Sequence, residues 1–148
     1  MPIDPSRRAL LLGIPAVVLA AAALTGCAMM HPMPDNLDLA LQKSTKAGLY
    51  TAAMAPQVQP VAVGPMHAWT VTLRTPAGAP VQAARIAVDG GMPQHGHGLP
   101  TAPRVTRDLG DGRYLVEGMK FNMGGWWTLD LAIDGPAGPD TVTFNLVL

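Results

Sequence analysis

The chain has 148 residues, with 10 Lys+Arg against 10 Asp+Glu and a formal net charge of zero. One domain is the expectation at this length, and the balanced charge argues against a nucleic-acid partner, which requires a basic face to displace counterions. Charged residues at 14% are too few for a coiled coil, 16 Gly and 15 Pro disfavour long helices, and a single Cys excludes an intramolecular disulfide and a cysteine zinc cluster.

Arg7 and Arg8 precede an uncharged apolar run from Ala9 to Leu24. A basic start followed by an apolar stretch is the pattern of a secretory signal. The run ends Leu24-Thr25-Gly26-Cys27, a branched residue, two small residues and then the only Cys of the chain. This resembles a bacterial lipobox, so residues 1–26 are read as a lipoprotein signal peptide and Cys27 as the lipidation site. Ala28 rather than Asp follows the Cys, which resembles the sorting pattern for the outer membrane. The expected location is the periplasmic face of the cell envelope, with the membrane as a partner through the lipid. Residues 27–36 are rich in Pro and Met and read as a tether. Within it Met29, Met30, His31 and Met33 form a soft-ligand group.

The folded domain is expected over 37–148. Leu37, Leu39 and Leu41 alternate as in an edge strand. Gly48 to Met54 reads as a strand, followed by a loop marked by Pro56, Pro60, Gly64 and Pro65. His67 to Thr75 alternates with Trp69, Val71 and Leu73 on one face, and His67 is assigned a structural hydrogen bond at the strand start. Val81 to Asp89 continues with Ile86 and Val88 inward. Gly90 to Ala102 reads as one long loop. Val105–Leu109 and Arg113–Phe121 flank the turn Gly110-Asp111-Gly112, with Tyr114 and Val116 on one face. Trp127, Leu129, Leu131 and Ile133 alternate against Trp126, Thr128, Asp130 and Ala132. The last strand carries Val142, Phe144, Leu146 and Leu148. About seven short strands with frequent turns and no long helix predict an all-β fold, an immunoglobulin-like antiparallel β-sandwich. The core is expected to comprise Trp69, Val71, Ile86, Val88, Tyr114, Val116, Trp127, Leu129, Leu131, Val142, Phe144 and Leu146.

Two groups carry chemistry. In Met92-Pro-Gln-His95-Gly-His97-Gly98, the His-x-His spacing brings two imidazoles within reach of one metal. In Met119-Lys-Phe121-Asn-Met123, the thioethers of Met119 and Met123 share a strand face with Phe121. Thioether and imidazole together suit copper, with soft sulfur favouring Cu(I). Loops cluster at the ends of a sandwich, so the two groups converge if they leave the same end. The candidate metal ligands are therefore Met92, His95, His97, Met119 and Met123. No strongly acidic cluster accompanies them, which disfavours calcium and magnesium. No serine-hydrolase elbow, zinc-protease motif or phosphate-binding glycine loop is present, so no catalytic residue is assigned.

The order Gly-Met-Pro-x-His-Gly-His-Gly, then Asp-Gly-x-Tyr, then Phe121-x-Met123-x-Gly125-x-Trp127 resembles the YtkA-like domain, related to FixH-like proteins. The resemblance covers residues 48–148. It implies a β-sandwich outside the cytoplasm, and a copper-related role for members with the Met-Pro-x-His-x-His loop. The competing expectation is a metal-free binding or assembly module that contacts an envelope protein partner.

Overall fold

A computed structural model describes residues 32–148. Cys27, the signal-peptide reading and the Met29–His31 part of the tether lie outside the described residues. Among the described residues there is no helix. Nine strands run β1 Gln42–Ser44, β2 Thr51–Pro56, β3 Met66–Arg74, β4 Arg85–Met92, β5 His97–Gly98, β6 Arg104–Gly110, β7 Arg113–Lys120, β8 Trp126–Gly135 and β9 Gly138–Val147. All pairings are antiparallel, in the order β1-β2-β3-β7-β6-β4-β8-β9, with β5 on β4.

The all-β antiparallel expectation holds, with differences in detail. Nine strands replace about seven because β1 and β5 are only three and two residues long, too short to leave an alternation pattern. The Leu37–Leu41 alternation lies before β1, and the sequence strand at Val81 begins only at Arg85. The presumed loop 90–102 opens as the end of β4 and contains β5. The two faces of the sandwich are one continuous sheet, joined where Ala87 of β4 pairs with Arg104 of β6. The far edges also meet. The Lys46 N–H donates to the Thr141 carbonyl at 2.8 Å. The Asp140 carboxylate accepts from the N–H groups of Ala47 and Leu49 at 2.9 and 3.1 Å. The result is close to a flattened barrel.

Alternation of apolar residues puts Trp69, Val71 and Leu73 of β3 against Trp127, Leu129, Leu131 and Ile133 of β8 and Phe144 of β9, all at 2% exposure or less. Removing this apolar surface from water is the main favourable term in holding the layers together. Val88 and Leu146, expected in the core, are half-buried at its margin.

The larger departure is in β7. Trp69 pairs with Val116, but His67 pairs with Met119, so β7 carries one extra residue at Glu117-Gly118. Gly118 has φ +87°, the left-handed conformation that glycine adopts without steric penalty. A bulge of this kind shifts the alternation by one. Tyr114 and Val116 point inward before it, and Met119 and Phe121 point inward after it. Strict period-two reading cannot place all four in one core.

Candidate metal centre

Strand directions set the site. β4 and β7 end, and β8 begins, at the same end of the barrel, here the upper end. The connection after β4 and the connection 121–125 between β7 and β8 therefore emerge together. The convergence expected from the sequence is present. A β-carbon at Gly125 would lie 2.8 Å from Cε of Met92 and 3.7 Å from Oε1 of Gln94.

The β4–β5 hairpin is tight. Both His95 and Gly96 donate their backbone N–H to the Met92 carbonyl, at 3.0 and 2.9 Å. Across the short ladder Gly91 pairs with Gly98 and Met92 with His97. A β-carbon at Gly91 would sit 2.5 Å from the His97 carbonyl oxygen, so only glycine allows β5 this close. Directly opposed residues hold their β-carbons about 4.5–5.5 Å apart on one face, so Met92 and His97 leave the ladder side by side.

His97 leans its ring edge onto Trp127, centroid to centroid 5.7 Å. The His95 ring stacks on it at 6.0 Å. Trp127 is fully buried, meets Phe121 at 5.2 Å, and donates its indole N–H to the Met123 carbonyl at 3.1 Å. Trp126 is half-buried and donates to Asn145 at 3.0 Å. Trp127 is thus a core ring, as its alternation with Trp126 predicts, and Trp126 turns to the other face. Nδ1 of His97 lies 2.9 Å from the Gly98 carbonyl. A carbonyl only accepts, so Nδ1 donates in this contact and Nε2 is the ring nitrogen left for a ligand.

The five sequence candidates separate. Met92 is 1% exposed, whereas His95 and His97 on the same hairpin are exposed. Met119 has no exposed surface, and its cross-strand neighbour is His67, not the loop histidines. Met123 does not share a strand face with Met119. β7 ends at Lys120, and Met123 stands in the following loop at 37% exposure. His67 is held as expected, Nε2 donating to the Ala62 carbonyl at 2.7 Å, with its ring 5.9 Å from Phe121. Among the described residues no three His, Cys, Asp or Glu side chains are close enough to hold a metal, so a site here needs thioether sulfur.

Two cavities lie near these strands. A shallow cavity of about 260 Å³ beside the hairpin is lined by Gly91, Met92, His97, Thr128 and Asp130, among others. Asp130 faces Asp89 directly across β4–β8. Both carboxylates are on the outward face, opposite the buried Met92, and that of Asp130 accepts from the Thr143 hydroxyl of β9. A larger groove of about 490 Å³, lined by Ala87, Ala132 and Pro139, contains no His or Met.

An antiparallel β-barrel with a His-x-His hairpin over a buried methionine defines a small binding domain built around one loop-bearing end. The YtkA-like family profile matches residues 45–132, and the chain belongs to the YtkA-like family. No curated protein matches the chain. A solved structure, the ZirS C-terminal domain, aligns with a TM-score of 0.41 and 11% identity over 98% of this chain and 88% of its own; a likeness that low carries no argument.

Proposed function

We propose that this YtkA-like protein is an extracytoplasmic, lipid-anchored copper-binding protein that handles or delivers the metal, with no catalytic role. The observation that carries the reading is the Met92–His97 pair, with His95 stacked beside it. His97 Nε2, a ring nitrogen of His95 and the Met92 sulfur are the donors. Met123 supplies a further thioether from the adjacent loop, and Met119, beside His67, stays outside the donor set. Soft sulfur with imidazole selects copper over magnesium or calcium, and favours Cu(I). When bound, copper is cargo held by these side chains, with Trp127 excluding water on the core side.

Acylated Cys27 would anchor the protein at the periplasmic face of the envelope, the outer membrane being favoured by Ala28. The deciding experiment is a Cu(I) titration against a competing chelator. His95→Ala/His97→Ala is expected to lose high-affinity binding while keeping the wild-type circular dichroism spectrum. Undiminished affinity in that variant would make the assignment wrong.

A further inference from the structure

The two ends of the barrel differ in chemistry. The upper connections are 57–65, 93–96, 99–103 and 121–125, and none contains Asp, Glu, Lys or Arg. The opposite end is ringed by Lys46, Arg74, Arg85, Asp111, Arg113 and Asp134. Exposed apolar side chains divide the same way. Val58 is 69% and Met66 61% exposed, and Val63, Met123 and Val147 are open beside them. Among the described residues the other exposed large hydrophobics, Met33 and Leu39, lie in the segment leading into β1. Single apolar side chains scattered over a surface need no explanation, but their concentration at the end whose loops carry no charge does.

The chain also enters the domain at this end. The Asn145 side chain donates to the Asp38 carbonyl at 2.9 Å and accepts from Trp126, at the upper start of β8. Further along, Lys46 bonds to Thr141, so residues 38–46 descend along β9 away from the upper end. Cys27 is eleven residues before Asp38, a span of at most about 40 Å.

We infer that the upper end is a lipid-facing surface that rests in the boundary between headgroups and acyl chains. The inference builds on the proposed lipid at Cys27. An anchor that short, attached where the chain enters, turns this end towards the bilayer. Loops without charge enter that boundary with no ionic group to desolvate. Trp126 at the rim suits an interface, being apolar with one polar handle. Lys120 and Arg104, at the strand ends below these loops, are placed to meet lipid phosphates.

The test uses the full-length chain with Val63→Cys, Met123→Cys or Ala137→Cys, each labelled with an environment-sensitive fluorophore. The vesicles contain phosphatidylethanolamine and phosphatidylglycerol with brominated acyl chains. Quenching is expected to be several-fold stronger at positions 63 and 123 than at 137, which lies in the β8–β9 turn at the opposite end. Equal quenching at all three, or none at 63 and 123, would overturn the inference. Shielding of the upper labels from aqueous iodide without lipid would mark a contact between copies and overturn it too. Intact mass separates the two readings. Where no acyl chain is found, the labels are placed in a Cys27→Ser background so that only the introduced thiol reacts; quenching retained at 63 and 123 there loses the anchor and keeps the surface, whereas an acylated chain without quenching keeps the anchor and loses the surface.

Discussion

Met92 and His97 face each other across a ladder of only two residue pairs, one side chain buried and the other exposed. The pair spans the boundary between core and solvent. A substitution at Met92 therefore acts on packing and on ligand supply together. Met92→Leu keeps the volume and removes the sulfur, and isosteric exchanges of this kind usually alter stability by less than about 1.5 kcal/mol. The expected outcome is a near-native unfolding midpoint with Cu(I) affinity reduced at least tenfold. Parallel urea unfolding and chelator competition check it.

Gly91→Ala should damage the hairpin without touching a ligand. Its β-carbon would meet the His97 carbonyl at 2.5 Å, and that contact is backbone rather than a flexible side chain. Overpacking of this type costs about 1–3 kcal/mol. Displacement of β5 should also shift the His97 ring from Trp127, visible as changed ring-current shifts in the NMR spectrum.

Gly118→Ala tests the bulge. An L-residue in the left-handed region costs about 1–2 kcal/mol, and a β-carbon there has no contact closer than 3.6 Å. The loss should therefore be that of backbone conformation alone. Denaturant unfolding is expected to give about 1–2 kcal/mol with an unchanged m-value.

Asp140 gives a pH-dependent latch. Burial raises its pKa, but hydrogen bonds from the Thr45 hydroxyl and the N–H groups of Ala47, Thr141 and Leu49 outweigh this and bring it from 3.8 down to about 2. A folded-state value below the unfolded one means stability that is present above about 4 and lost as pH falls towards 2. Asp140→Asn should lower the thermal midpoint at neutral pH and flatten its decline between pH 4 and 2.

Much of this architecture was legible in the residues. Strict alternation in β3, β8 and β9 identified Trp69, Trp127, Leu129, Leu131 and Phe144 as core, because a half-buried strand has a period of two whatever its partners. The His-x-His loop and its convergence with the 121–125 connection also followed from local pattern and the direction of antiparallel strands. Other features depend on contacts remote in sequence. The inward turn of Met119 and Phe121 comes from a bulge defined only against β3. The opposition of Met92 and His97 requires the two-residue β5, too short to have a pattern of its own. Met123 leaves the strand because β7 stops at Lys120. Local sequence determines which face a residue shows within its own strand. Which strand lies opposite, and in what register, is decided by the summed burial and hydrogen bonding of the whole barrel.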